Sequence, residues 1–363
     1  MTSQPGEDEL EASASLLADQ CVGENLDQLS TLDMRGDGIL RVLYGAARAL
    51  HSRPLTLTAA QALTGRLETG SAVLMLTGFL APKPFPETDG LIGSAVLAAA
   101  LERACGAVPV FVAEPEVISA LSAALRGAGL NVTAELAMRA DVPHAAVVLP
   151  FSAEAAEAEA ISAALADQIE PAACVAVERP GANPEGEYHY AMGKNATLGI
   201  AAVDFLYREA AARGALTVGV GDFGNELGMG AIYDAIRAET PAGKDCGCGC
   251  GGGTACATPA DVTVLASVSD WGAYAIAACL AYLKRDPAVL VACDVYRRVC
   301  EDAVRAGAID GPTRYATPYV DGIDPGFNAA LLEVMRGAAR YPSRGAGHSA
   351  IRLFRAARIS AGG

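Results

Sequence analysis

Two kinds of segment alternate along the chain from about residue 38 onward. Short apolar runs without polar alternation are typical of strands that are buried on both faces, and longer Ala-rich stretches are typical of helices. The predicted strands are residues 72–76, 108–113, 145–149, 174–177, 215–221, 262–268 and 288–293. The predicted helices include residues 94–106, 116–129, 153–168 and 201–214. This alternation predicts an α/β fold, a Rossmann-like and mostly parallel sheet covered by helices on both faces.

The predicted domain organisation has three parts. Residues 1–37 form an acidic N-terminal extension that we expect to lie on the surface. Residues 38–340 form one large α/β domain with a Cys/Gly-rich insertion at 244–256, and residues 341–363 form a C-terminal tail or helix. Ligands of such sheets bind at the carboxyl ends of the strands, so we expect the functional loops to lie there.

The N-terminal segment and the cysteines predict a cytoplasmic location. The segment carries Glu7, Asp8, Glu9 and Glu11 and has no basic region, unlike a secretory or transit peptide. No apolar run reaches the length of about 18 residues that a transmembrane helix needs. Most of the ten cysteines are scattered through apolar segments, as is typical of reduced, buried thiols.

Composition and charge narrow the class of ligand. The chain has 363 residues, of which 52% are hydrophobic and 19% charged, so it is not a disordered chain. Its formal net charge of −15 disfavours nucleic acids and anionic membranes as partners. A small anionic substrate remains compatible with this charge, provided that cationic side chains or helix N-termini bind it locally. The sequence does not define the oligomeric state and leaves room for a homo-oligomer.

The first segment with candidate chemistry joins a predicted strand to a helix at residues 74–101. Glu87 and Asp89 place two carboxylates beside the expected helix start. Gly90 and Gly93 would free the first backbone amides of that helix to bind an anion. We expect this segment to contact substrate through Thr77, Gly78, Glu87, Asp89, Gly90 and Gly93.

The second segment, residues 215–237, contains five glycines within twelve residues. Asp222 and Glu226 are four positions apart, so that in a turn both side chains face one pocket. Asn225 can both donate and accept hydrogen bonds. Carboxylates at this spacing are candidates for general acid–base catalysis. We expect substrate contacts here from Gly221, Gly224 and Asn225.

The same glycines allow an alternative function. Gly219, Gly221 and Gly224 match the dinucleotide-binding pattern G-x-G-x-x-G after a strand. However, the loop continues instead of opening a helix at once, and Asp222 would repel a pyrophosphate. No nucleotide cofactor is therefore expected, although a nucleotide-dependent enzyme remains the alternative.

Two further strand ends carry candidate binding residues. Glu178 and Arg179 follow the strand at 174–177, where the guanidinium is a candidate clamp for a substrate carboxylate. Lys194 lies further along the same loop and can reach an anion. Trp271, the only tryptophan, follows another strand and is a candidate wall of the pocket.

Cysteines are concentrated in the insertion at 244–256. Cys246, Cys248, Cys250 and Cys256 are candidate metal ligands, but their spacing, C-x-C-x-C-x₅-C, is tighter than the usual spacing of zinc ligands. The glycines between them favour a flexible lid or insertion. A non-catalytic protein that binds a metal or a small ligand is therefore a further alternative.

Four motifs in order resemble one known family. The motifs are TGF…ETDG, ERPG, GDFGNELGMG and VSDWG. They resemble the D-glutamate cyclase C-terminal-domain family, formerly catalogued as a domain of unknown function, over about residues 38–340. The resemblance implies a lyase of the hydro-lyase type that converts D-glutamate, or a close analogue, to 5-oxo-D-proline and water. Leu91, Phe223 and Asp270 depart from the residues expected in this family.

The implied reaction suggests roles for the candidate residues. Asp222 or Glu226 would act as general base or acid, with Asp89 as the other partner. Amides near Gly90, Gly93 and Gly224, together with Arg179, would hold the substrate carboxylates. Alternatively, Asp89, Asp222 and Glu226 would bind Mg²⁺ or Mn²⁺, because hard cations take carboxylate oxygens.

Overall fold

Seven parallel strands form the centre of the molecule. The computed structural model describes residues 7–80 and 83–340. The strands are β1 (Ala72–Thr77), β2 (Val108–Ala113), β3 (Asn131–Thr133), β4 (Ala145–Pro150), β5 (Pro171–Val177), β6 (Leu216–Gly221) and β7 (Val262–Leu265), in the order β3-β4-β2-β1-β5-β6-β7. All six pairings are parallel. The predicted α/β class is confirmed.

Helices connect the strands and cover the sheet. They are α1 (Glu7–Ser30), α2 (Ile39–Ala49), α3 (Leu55–Arg66), α4 (Leu91–Cys105), α5 (Pro115–Gly127), α6 (Ala155–Ile169), α7 (Asp204–Ala212), α8 (Tyr233–Glu239), α9 (Ser269–Lys284), α10 (Cys293–Arg305) and α11 (Pro325–Arg340). Within residues 7–80 and 83–340, no helix is long and apolar enough to cross a membrane.

The order of the strands defines where a ligand site belongs. From β1 the chain proceeds outward through α4 to β2, whereas from β5 it proceeds through α7 in the opposite direction to β6. Right-handed crossovers in opposite directions place their helices on opposite faces. The point where the direction reverses therefore lies between β1 and β5, and a crevice opens at their carboxyl ends.

The predicted strand at 288–293 is wrong. Residues 289–291 are buried, but they form no ladder, and α10 begins at Cys293. The carbonyls of Leu290 and Val291 accept hydrogen bonds from Arg336 of α11 at 2.6 and 2.8 Å. A side chain thus satisfies the backbone groups that a neighbouring strand would otherwise pair, so this apolar run is core without being a strand.

The predicted N-terminal extension is not confined to the surface, because part of α1 is buried. Val22 and Leu26 of α1 are buried in the core, and α1 packs against α3 and α9. Asp27 accepts hydrogen bonds from the first amides of α3, those of Leu55 at 2.7 Å and Thr56 at 3.0 Å. A carboxylate at this position binds the exposed donors of a helix start. Residues 341–363, predicted to be a tail or helix, lie outside the described residues.

Candidate functional site

A cavity of about 470 Å³ opens at the carboxyl ends of β1, β5 and β6. Its walls are the loops that follow these strands, together with two segments from elsewhere in the chain. Its lining includes Arg35, Phe79, Glu87, Asp89, Glu178, Tyr190, Lys194, Asp222, Asn225, Arg314 and Asp321. The cavity therefore lies at the position that the strand order indicates for a ligand site.

Three carboxylates converge on the floor of the cavity. Asp89, Glu178 and Asp222 come from the loops after β1, β5 and β6, and one oxygen of each lies within 4.8 Å of the others. Their exposed fractions are only 6%, 9% and 6%. Glu178 has a φ of 43°, in the left-handed region that a side chain other than glycine rarely adopts. Three acids this close and this buried need protons or a cation to offset their repulsion.

Reciprocal capping of two helices fixes the position of Asp89. Its Oδ1 accepts a hydrogen bond from the backbone amide of Asp270, in the first turn of α9, at 2.9 Å. Asp270 Oδ1 in turn accepts from the amides of Gly90 and Gly93, at the start of α4, at 2.8 and 2.6 Å. Each helix thus supplies the carboxylate that neutralises the positive end of the other.

Burial and the charge of neighbouring acids raise the pKa of Asp89 and Glu178 on the floor. The pKa of Asp89 lies well above its usual value, first because of burial and then because of Asp270. Burial, followed by the charge of Asp222, likewise raises the pKa of Glu178. Burial also raises the pKa of Asp270 to about 7. A raised pKa favours the protonated form of a carboxyl group, which can donate its proton.

Arg35 places a positive charge beside the floor acids. It forms an ion pair with Asp222, lies 3.4 Å from Asp321, and stacks over the ring of Phe223 at 5.1 Å. The charge of Asp222 raises the pKa of this guanidinium, so Arg35 stays ionised. Among the described residues, the other two floor acids, Asp89 and Glu178, form no ion pair.

The entrance of the cavity is more basic than its floor. Lys194 and Arg314 are exposed and line the opening. Lys194 lies over the ring of Tyr190 at 5.8 Å. Within the described part of the chain, Arg314 forms no ion pair. A cationic entrance above an acidic floor suits a ligand with carboxylates at one side and an amine at the other.

Asn225, which lines the cavity, has a side-chain acceptor without a partner in residues 7–80 and 83–340. Its amide nitrogen donates to the carbonyl of His189 at 3.0 Å, which fixes the side chain. Its Oδ1 is buried and has no hydrogen-bond partner among the described residues. A buried polar atom is rarely left unpaired in a folded protein, so Oδ1 is a candidate acceptor for a ligand N–H.

Comparison with known proteins identifies the family. The family described as "D-glutamate cyclase-like, C-terminal" matches residues 26–336, which is most of the chain. The chain belongs to this family. It is also 36% identical over 141 residues to the human protein named "D-glutamate cyclase, mitochondrial"; the match covers 39% of this chain and 20% of the human protein. The chain therefore corresponds to only part of that relative's length.

Six of the residues predicted from the sequence meet in the cavity of this D-glutamate cyclase-like chain. They are Glu87, Asp89, Glu178, Lys194, Asp222 and Asn225. Gly90 and Gly93 lie next to the floor, but their amides already donate to Asp270, so they do not hold a substrate carboxylate. The bound anion that we expected at this helix start is a side chain of the protein itself.

Arg179 is not a substrate clamp. It is completely buried and forms a bidentate ion pair with Glu114, at 2.7 and 2.8 Å. The same guanidinium donates to the carbonyls of Gly78 and Ala201. Its two terminal nitrogens bond within the protein and connect the ends of β1, β2 and β5, while Nε is buried without a partner among the described residues. Arg179 therefore supports the loops beneath the cavity and does not line it.

Glu226 lies under its loop and outside the cavity. Its carboxylate accepts hydrogen bonds from the amides of Phe223 and Gly224, at 3.0 and 2.6 Å. These are the donors that a phosphate would need in a dinucleotide-binding loop. A Cβ on Gly219 would lie 2.8 Å from the Cα of Gly228, and one on Gly221 would lie 2.7 Å from Glu226. The glycines thus let the loop pack on itself, and this geometry does not suit a nucleotide.

Three other predicted contacts are structural. Trp271 is buried, donates to Asn328 at 2.7 Å and stacks on Phe327 of α11. Thr77 is buried at the end of β1, and Gly78 packs against Val117. None of the three lines the cavity.

The Cys-rich segment divides into two parts. Cys246, Cys248 and Cys250 lie together with His189, and one ligand atom of each lies within 4.8 Å of the others. Cys256 is not in this group; it is buried, and its thiol points to the carbonyl of Thr258. The predicted grouping of four cysteines is therefore wrong in its last member, and His189 takes that place.

Sequence reasoning missed several cavity residues. Arg35 precedes the first strand, and Tyr190, Arg314 and Asp321 belong to loops that carry no recognisable motif. Arg35 reaches the cavity because the chain after α1 is bonded to the end of β7, through Ser267 N to Ser30 O at 2.8 Å. The only signal in the sequence is the turn-forming stretch Asp33–Gly38 around this arginine.

Proposed function

We propose that this protein catalyses the intramolecular dehydration of D-glutamate, or of a close analogue, to 5-oxo-D-proline. The observation that carries the proposal is the convergence of Asp89, Glu178 and Asp222 on the floor of one cavity below a cationic entrance. Membership of the D-glutamate cyclase-like family and the partial match to the human cyclase support the same reaction.

The reaction requires the amine nitrogen of the substrate to attack its own γ-carboxyl carbon. A C–N bond forms and a C–O bond breaks, and the two protons that the nitrogen loses leave with that oxygen as water. The carboxylate is a poor electrophile until its oxygen is protonated or its charge is offset. The enzyme must therefore supply a base at the amine and an acid at the carboxyl group, and it must hold the substrate in a bent conformation.

The floor residues match these needs. Asp222, whose charge Arg35 balances, accepts the proton from the amine. Asp89 and Glu178, whose raised pKa values favour the protonated form, donate to the departing oxygen. The unpaired Oδ1 of Asn225 accepts an N–H of the substrate and orients the amine. Lys194 and Arg314 at the entrance bind the carboxylate that does not react.

A divalent cation fits the same three carboxylates. All donors of the set are oxygens, which Mg²⁺ and Mn²⁺ prefer to nitrogen or sulfur ligands. Asp89, Glu178 and Asp222 would hold the ion. When bound, it would offset charge on the reacting carboxyl group.

Proton NMR tests the proposal directly. Purified protein is incubated with D-glutamate or L-glutamate, each with and without Mg²⁺ or Mn²⁺, and 5-oxoproline signals are followed against a sample without protein. We expect product from the D-enantiomer. If folded protein forms no product above background from either enantiomer under any of these conditions, the proposal is wrong.

A further inference from the structure

Three thiol groups lie close together in the loop of residues 245–253. Cys246, Cys248 and Cys250 alternate with Gly247, Gly249 and Gly251, whose φ values are 70°, 94° and 84°. A Cβ on any of these glycines would meet open space. Glycine is therefore favoured here by the backbone conformation and not by crowding. The Sγ atom of Cys246 lies 3.0 Å from that of Cys248 and 3.4 Å from that of Cys250.

A histidine from a distant loop completes the group. His189 is 1% exposed, and its Nε2 lies 3.3 Å from the Sγ of Cys248 and 3.7 Å from that of Cys250. Around tetrahedral zinc the S–S and S–N edges are about 3.8 and 3.6 Å long, given Zn–S and Zn–N bonds of about 2.3 and 2.05 Å. Four of the six distances between the ligand atoms are 3.0, 3.3, 3.4 and 3.7 Å, and all six are within 4.8 Å, so the group is compact enough for one ion to contact all four atoms.

The surroundings of the group suit a bound thiolate. The Sγ of Cys250 accepts hydrogen bonds from the side-chain amide of Asn183 and from the backbone amide of Gly252, both at 3.4 Å. Donors of this kind orient the ligands of a metal and stabilise the charge on sulfur. Asn183 is itself fixed by a bond to the carbonyl of Gly253 at 2.8 Å.

We propose that Cys246, Cys248, Cys250 and His189 bind one structural Zn²⁺ ion. Three thiolates and one imidazole form a soft ligand set that selects Zn²⁺ over Mg²⁺ or Mn²⁺ and closes the tetrahedron without an open position. The site is distinct from the all-oxygen set on the cavity floor, and it does not depend on the reaction that the cavity catalyses.

The ion would join the Cys-rich loop, which does not line the cavity, to the loop that forms one cavity wall. Tyr190 and Lys194 line the cavity shortly after His189 in the chain. Gly193 lies so close to the Cys-rich loop that a Cβ would be 2.5 Å from the carbonyl of Cys246. Metal coordination would therefore fix this wall, and the carbonyl of His189, which accepts from Asn225, relative to the floor.

Metal content tests the proposal without measuring turnover. Reduced protein is loaded with Zn²⁺ and desalted, and its metal is measured by mass spectrometry alongside a count of free thiols. We expect one Zn²⁺ per chain in the wild type and in Cys21→Ser, whose cysteine is exposed on α1. Cys248→Ser should lose most of the zinc. Reduced wild-type protein that retains no zinc, or Cys248→Ser that retains it fully, would overturn the proposal.

Cobalt substitution tests the ligand set in the wild-type chain, so it does not depend on the folding of a variant. Co²⁺ in the proposed site should show a thiolate-to-metal charge-transfer band in the near ultraviolet and the intense visible bands of tetrahedral cobalt. Co²⁺ on the carboxylates of the floor would show neither. Addition of Zn²⁺ should bleach both features. Absence of the charge-transfer band from reduced, cobalt-loaded protein would contradict thiolate ligation.

Discussion

Two clusters of potential ligands differ in their chemistry: one lies on the floor of the cavity, and the other lies beside a loop that forms a cavity wall. The floor cluster, Asp89, Glu178 and Asp222, consists of oxygen ligands on loops that directly follow strands. The wall cluster consists of His189 with Cys246, Cys248 and Cys250, which are soft ligands on long connections. Strand ends give the first cluster its precision, whereas the second needs a cross-link for the same purpose. We therefore expect the floor cluster to take part in the reaction and the wall cluster to hold a loop in place.

The largest expected effect is on the floor. Asp222→Asn keeps the shape of the side chain but removes the carboxylate that we assign as base, so turnover should fall by at least ~10²-fold. Zinc content should not change. Asp167→Asn, an exposed aspartate on α6 whose carboxylate pairs with Arg213, is the matched control. Near-normal turnover by Asp222→Asn would remove this residue from the mechanism.

The cationic entrance should affect binding more than chemistry. Arg314→Met removes an exposed cation that we expect to bind a substrate carboxylate, so KM should rise about tenfold, or about 1.4 kcal/mol, with little change in kcat. Arg305→Met, on the exposed face of α10, serves as the control. Steady-state kinetics with D-glutamate measures both parameters, and an unchanged KM would contradict the assignment.

The wall cluster should have a smaller effect on turnover. Cys248→Ser loosens the wall without altering the floor, so kcat/KM should fall by less than about tenfold. Chelation of zinc from the wild type should give a similar loss, and Cys21→Ser should give none. A loss as large as that of Asp222→Asn would show that the two clusters do not divide the work as proposed.

A separate effect, on stability and not on turnover, concerns the pH dependence at Glu226, which lies beneath the floor. Burial raises its pKa to about 8 in the folded chain, above its usual 4.5. The folded state then retains a proton that the unfolded chain releases, so this contribution is full below about pH 4.5 and is lost as pH rises toward about 8. The loss is at most about 1.4 kcal/mol per pH unit.

Urea unfolding at about pH 5 and about pH 8 measures this contribution. Glu226→Gln carries no ionisable group, so its stability should fall less over this interval than that of the wild type. Glu239→Gln, on α8, is the matched control and should follow the wild type. An identical slope in Glu226→Gln and the wild type would show that the buried acid does not titrate as the structure indicates.

Local patterns predicted the fold class correctly and singled out the three floor acids as candidate site residues. Apolar runs identify strands because burial on both faces leaves few polar positions, and acids placed directly after strands must meet at one edge of a parallel sheet. Glu178 and Asp222, which directly follow β5 and β6, were therefore accessible from the sequence, whereas Asp89 was accessible as an acid beside a helix start. The run at 288–293 was misread because burial alone does not distinguish a strand from buried irregular chain.

The two arginines show what local patterns cannot provide. Arg179 stands at a strand end and looks like a clamp, but Glu114 from the neighbouring β2–α5 connection takes its guanidinium. Arg35 lies in a segment with no strand and reaches Asp222, 187 positions away. Which arginine faces the cavity depends on partners that are distant in sequence, and the same holds for His189 and the cysteines.

Reciprocal capping has a consequence for how members of such a family can diverge. Asp89 neutralises the start of α9 while it lines the cavity, so a replacement there disturbs a helix pair as well as the reaction. Among the described residues, Lys194 and Arg314 have no comparable structural role. We therefore expect substrate preference to change through the entrance residues, whereas the helix caps restrict replacement of the inner acids.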